Sequence, residues 1–148
     1  MINLFNRILM LKHSQVFSEV SSESLRVVAR ELQEEKFQEG ERVFMINERG
    51  DHMYYIASGS IGICIEEDPD SHNYVTTLVE GQCFGEMGML DDKPRSATAH
   101  VLEDSILLVL DKSRLLDLIS KNPELAFGML RSLSLRLRET NQRVANSS

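Results

Sequence analysis

The amino-acid sequence predicts a mainly β fold with flanking helices, an α+β arrangement in which a double-stranded β-helix or jelly-roll barrel lies between N-terminal helices and two C-terminal helices. Three observations predict it. Apolar residues recur at helical spacing near both ends, β-forming residues crowd the middle, and glycines interrupt that middle at roughly ten-residue intervals. At 148 residues and 42% hydrophobic content, the chain is long enough to bury a core without disulfides or a structural metal. A single domain over 1–148 is expected, with helices over 1–35, a barrel over 36–111 and helices over 112–143.

The first helix is drawn from Leu4, Phe5, Ile8 and Leu11, which share one face. Leu25, Val28, Ala29 and Leu32 predict a second, with Ser21 or Ser22 placed to cap it. From Lys36 the pattern changes to short strands carried by Phe37, Val43, Phe44, Ile46, Tyr54, Tyr55, Ile56, Ile61, Ile63 and Ile65, with Gly40, Gly50 and Gly59 as turn points. Glu66 to Asn73 is acidic and contains Pro69 and Ser71, so it reads as an exposed loop before a strand over Tyr74 to Val79. It lacks the spacing and glycine of a calcium-binding hand. Ala97 to Val101 and Ile106 to Leu110 are expected as the last two strands. Leu115, Leu116, Leu118 and Ile119 then restore helical spacing, and Asn122-Pro123 marks a fresh start, since Asn caps and Pro fits the first turn. Along this last helix Ala126, Leu130, Leu133 and Leu137 form a stripe expected to pack on the barrel. With Val144, the same stripe also suits a brief dimer seam.

Composition excludes several function classes. A formal net charge of −7 offers no dominant basic face for many phosphates, so direct nucleic-acid binding is not expected. Apolar runs such as Ile106 to Leu110 fall far short of the ~20 residues that span a bilayer. The N-terminal stretch is interrupted by Arg7 and ends at Lys12, which suits an amphipathic helix and not an export signal. Cys64 and Cys83 lack the paired spacing of a zinc or redox motif and read as reduced thiols in a cytoplasmic protein.

The chemistry concentrates in Phe84-Gly85-Glu86-Met87-Gly88-Met89-Leu90 and Asp91-Asp92-Lys93-Pro94-Arg95-Ser96-Ala97-Thr98. Gly85 permits a tight turn, after which the amides of Glu86 to Met89 can open a short helix toward an anion. Arg95 supplies a planar, permanently charged fork, and Pro94 stiffens the approach to it. Glu86 would repel a phosphate, so its carboxylate suits a sugar hydroxyl. Spacing alone indicates an anion site.

Phe-Gly-Glu, the apolar Met-Gly-Met-Leu stretch and Pro-Arg-Ser-Ala-Thr together resemble the phosphate-binding cassette of the cyclic-nucleotide-binding family, here over 84–98. The likeness extends upstream through Phe37 to Glu41, Gly50-Asp51, Tyr54 to Ile56 and Gly59, and downstream into Asn122-Pro123. It implies a ligand, cAMP or cGMP, and roles residue by residue. Gly85 and Glu86 meet the ribose 2′-hydroxyl; the Met87 and Gly88 amides, with Arg95 and Ser96, meet the cyclic phosphate; Ala97 and Thr98 complete the ligand-binding set. Ser96 follows the arginine where strongly cGMP-selective relatives commonly show Thr, which favours cAMP. Channel-type members carry an arginine over the purine at the position matching Arg136, which borders the apolar stripe of the last helix.

Other readings fit less well. His13, His52, His72 and His100 are scattered, so no metal is expected; Ser96 has no nucleophile elbow; and Gly81, Gly85 and Gly88 follow neither dinucleotide nor P-loop spacing. Catalytic residues and cofactors are therefore expected to be none. About five residues follow Arg143, leaving no room for a helix-turn-helix. The expectation is a non-catalytic sensor that transmits occupancy by moving its C-terminal helices, with an effector protein or domain as partner, the alternative being a ligand-free interaction module of the same family.

Overall fold

In the computed structural model, which describes residues 2–146, the β-forming middle gathers into six strands and helices take both ends. The order is α1 (Leu4–Lys12), α2 (Ser22–Glu31), β1 (Gln33–Phe37), β2 (Arg42–Phe44), β3 (His52–Cys64), β4 (Thr76–Val79), β5 (Cys83–Phe84), α3 (Glu86–Asp91), β6 (Thr98–Asp111), α4 (Lys112–Lys121) and α5 (Pro123–Asn146). Leu32–Arg114 forms one compact unit; Ile2–Glu31 and the chain from Leu115 form a second.

In the β unit, β3 and β6 are long antiparallel partners, paired from His52↔Asp111 to Cys64↔Thr98. β1 and β2 bond the far side of β6, while β4 and β5 bond the far side of β3. The expectation of separate short strands is corrected here: Gly59 does not end a strand, and Ala97 to Val101 and Ile106 to Leu110 fall on one strand. The reason is a bulge. Register shifts cluster between Ile56 and Ile61, with Gly59 at φ 104°. Inward residues of β3 change there from even numbers (Tyr54, Ile56) to an odd one (Ile61), as one inserted residue demands, so the strand bends without stopping.

That bend brings both halves onto one core of Tyr54, Ile56, Ile61, Phe84, Ala99, Val101, Leu107 and Val109. The antiparallel sheet and flanking helices agree with the predicted class. Closure does not: the hydrogen-bonded path β1-β6-β3-β4 is open, so the expected barrel is a folded sheet whose faces are joined by side chains. β1 also starts before Lys36, because the β6 ladder recruits the exposed Gln33, Glu34 and Glu35 despite their low strand propensity.

In the helical unit, Asn3 Oδ1 caps α1 by accepting from Asn6 N at 2.8 Å, and Ser21 Oγ accepts from Ser24 N at 3.2 Å before α2. Asn122 turns its side-chain amide to Ser24 Oγ, 3.3 Å away. The stripe expected to pack from α5 is rotated. Leu125, Gly128, Met129 and Ser132 are buried, whereas Leu130 and Leu137 are 64% and 61% exposed. Gly128 sets the rotation, since a Cβ there would come within 2.9 Å of Val20 Cγ2 and 3.0 Å of Val20 Cα. Ser132 Oγ holds the same crossing by accepting from Glu19 N at 2.8 Å and donating to Gly128 O at 2.9 Å. Among the described residues no helix is long and apolar enough to cross a membrane.

One buried titratable group gives the β unit a pH dependence. His100 is 6% exposed, its Nε2 has no hydrogen-bond partner among the described residues, and its ring lies 5.3 Å from that of His72 and 5.5 Å from that of Tyr74. Burial lowers its pKa, helped by His72 and Arg42 and opposed by Asp70 and a hydrogen bond to the Ser71 backbone. The unfolded chain binds this proton near its ordinary value of about 6.5 while the folded chain resists it, so stability falls as pH drops below that value. The urea midpoint is expected to decrease from pH 7.5 to 5.5, and His100→Gln to flatten the decrease; an unchanged slope in that variant removes His100 as its source.

Candidate functional site

Arg95 is 6% exposed, yet no carboxylate among the described residues forms an ion pair with it. Its backbone is clamped by the turn after β2, with Arg95 N donating to Glu48 O at 2.7 Å and Asn47 N donating to Arg95 O at 2.8 Å. The guanidinium Nη1 donates to Gly85 O at 2.9 Å and Nη2 to His52 O at 2.8 Å, while the Phe44 ring centroid lies 4.0 Å from Cζ. Two of five guanidinium N–H donors are thereby used, and Nε has no partner among the described residues. Burial lowers the pKa of Arg95, opposed by Tyr54, Asp51, Glu48 and Glu86.

Two glycines make this placement possible. A Cβ at Gly50 would fall 2.1 Å from Arg95 Nε, and one at Gly85 would fall 2.8 Å from Nη1. Gly85, at φ 83°, also turns the chain from β5 into α3. Around the arginine opens a cavity of about 490 Å³. Of the residues expected from sequence, Gly85, Glu86, Met87, Gly88, Arg95, Ser96 and Ala97 line it. Glu86 is half-buried, with Oε2 4.0 Å from Cys83 Sγ.

Two expected residues are placed elsewhere. Thr98 is fully buried and absent from the lining, and its Oγ1 accepts from Ile46 N at 2.9 Å, which ties the Met45–Gly50 turn to the end of the cassette. Arg136 lines a cavity of about 290 Å³ within the helical unit, beside His13, Glu19, Ser132 and Glu139. Phe44, Ile63, Leu78 and Cys83 line the larger cavity from the strands, with Asp91 and Lys93 from the cassette. The sequence marked Phe44, Ile63 and Gly50 only as strand and turn formers. Their part in the site comes from contacts across 30 to 50 residues, which no local spacing reveals.

Residues 34–122 match the family model described as the cyclic nucleotide-binding domain. The chain belongs to this family. Its matches include a CRP-like cAMP-activated global transcriptional regulator of Mycobacterium tuberculosis, 29% identical over 92% of this chain and 61% of that protein. A cAMP-dependent protein kinase regulatory subunit of Debaryomyces hansenii is 35% identical over 74% of this chain and 24% of its own length. The catabolite activator protein of Thermus thermophilus superimposes with a TM-score of 0.69 at 29% identity, covering 89% of this chain and 62% of that one. The N-terminal domain of a Streptomyces coelicolor transcriptional regulator shares the fold, with a TM-score of 0.81 at 24% identity over 91% and 94% of the two chains. This cyclic-nucleotide-binding domain thus spans about three fifths of the bacterial regulator it matches.

The Gly50 contact yields a direct test. Gly50→Ala is expected to push the guanidinium off its carbonyls and weaken cyclic-nucleotide binding about 10- to 100-fold, the equivalent of one lost charge-assisted hydrogen bond. Calorimetric titration of the folded variant checks it, and unchanged affinity would mean that Arg95 can be moved without consequence.

Proposed function

We propose that the chain is a non-catalytic sensor of a cyclic nucleotide, cAMP in preference to cGMP, and that it reports occupancy by moving its C-terminal helices. One observation carries the reading: a buried arginine without an ion pair among the described residues lines a cavity together with Gly85 to Gly88. A buried cation of this kind is completed by an anion, and the apolar wall of Phe44, Ile63 and Leu78 suits a base and sugar. Arg95, Ser96 and the Met87 and Gly88 amides take the cyclic phosphate, and Gly85 and Glu86 take the ribose. Ala97 completes the wall, and Thr98 acts by tethering the turn that clamps Arg95. The names of the mycobacterial and yeast relatives support cAMP. Arg136 enters as the purine cover when α5 turns that side chain away from the His13 and Glu19 wall. A cytoplasmic setting agrees with the free thiols of Cys64 and Cys83, and the output passes to an effector protein or domain, with no direct contact between this domain and nucleic acid.

The ligand panel decides the chemistry. Arg95→Ala is expected to abolish cAMP binding while preserving the fold, and Arg95→Lys to rescue poorly because a point charge cannot reproduce a fork. In the original chain, 2′-deoxy-cAMP should bind more weakly than cAMP by about 1.5–3 kcal/mol if the Glu86 carboxylate accepts from the hydroxyl. Equal affinity for the deoxy compound, or a tenfold preference for cGMP, reverses the corresponding assignment.

A homodimer through α5 is the second part of the proposal. Phe127, Leu130, Leu137 and Val144 are 64%, 64%, 61% and 66% exposed, and Leu130, Leu137 and Val144 recur every seven residues with Phe127 three before them, so one apolar line runs along α5, interrupted by Ser134 and Asn141. Sedimentation should show a dimer that Leu137→Glu converts to monomer; a monomeric original chain at high concentration would leave the seam unused.

A further inference from the structure

The guanidinium of Arg95 is fixed at its two terminal nitrogens by carbonyls from β3 and the cassette, but two such bonds leave its plane free to tilt. The third restraint is aromatic. Phe44 faces the guanidinium from β2, where it is paired with Ala99, and is itself braced by Tyr54 and Phe84 at centroid distances of 6.0 and 5.8 Å. Those two rings stack on each other at 5.1 Å and 16°, so Phe44 rests on a paired aromatic surface. An aliphatic residue would serve the core equally well, since Phe44 is only half-buried and packs at the margin of the apolar cluster. What an aliphatic residue lacks is the negative ring face that attracts a cation.

We infer that Phe44 is a positioning residue for the bound anion: its ring face holds the Arg95 guanidinium plane in the cavity wall, so affinity depends on an aromatic side chain at position 44. The inference rests on the reading of Arg95 as the phosphate partner, and its test has an arm that needs no nucleotide. In the ligand-free chain, the Arg95 Nε–H resonance, assigned by its loss in Arg95→Lys, should be shifted by the ring current and slow to exchange with solvent. Phe44→Leu and the longer, unbranched Phe44→Met should move it toward the free-arginine position, and Phe44→Tyr should keep it. Calorimetry should show cAMP weakened about 3- to 30-fold by Leu and Met and within about 2-fold of the original in Tyr.

An unmoved resonance in Phe44→Leu, or equal affinity of the Leu and Tyr variants in folded protein, overturns the inference. If the resonance follows this pattern but no cyclic nucleotide binds even the original chain, the aromatic placement of Arg95 stands and the nucleotide reading alone fails.

Discussion

The buried charge of Arg95 is the constraint on which the rest of the site depends. Withdrawing a cation from water costs several kcal/mol, and here no carboxylate ion pair offsets it among the described residues. Two charge-assisted bonds to carbonyls contribute roughly 1.5–3 kcal/mol each, and the Phe44 face adds about 0.5–2 kcal/mol. Such compensation works only if the carbonyls of Gly85 and His52 are fixed. The fold provides this by placing His52 at the start of a long strand, Gly85 at a left-handed helix entry, and the arginine backbone in the clamp of Asn47 and Glu48.

The same geometry divides the cavity by chemistry. Charged and polar groups come mainly from the cassette: Glu86, Asp91, Lys93, Arg95 and Ser96. The strands supply Phe44, Ile63 and Leu78. In the proposed reading, a ligand that meets both walls is amphipathic, with an anionic end and an apolar end. A cyclic nucleotide is such a molecule, and a free phosphate ion is not.

Legibility in the sequence followed the range of the interactions. The cassette was legible because Gly85 to Ala97 are nearly contiguous and their chemistry is local, and seven of the nine expected site residues line one cavity. Gly50 was legible as a glycine but not as the space for a guanidinium 45 residues away, since a missing Cβ carries no sign of what fills its place. The helical stripe failed for a related reason. Spacing identified α5 as amphipathic, but its rotation is set by the close approach of Gly128 to Val20, and Gly128 and Ser132, which share the buried face with Leu125 and Met129, do not register in a search for large apolar residues. β3 and β6 were divided too finely because Gly59 bends a strand as readily as it ends one.

β6 has a further consequence for how the molecule is made. It is the hub that bonds β1, β2 and β3, yet it is the last of the six described strands to leave the ribosome. Until Asp111 has emerged, the apolar residues of β3 have no central partner, and at about 5–20 residues per second that interval lasts seconds. Pairing β1 to β6 also closes a long loop, which slows folding relative to a chain of local hairpins. A nascent chain stalled before residue 98 would therefore expose Tyr54, Ile56 and Ile61 together, as a substrate for chaperones and not as a smaller version of the domain.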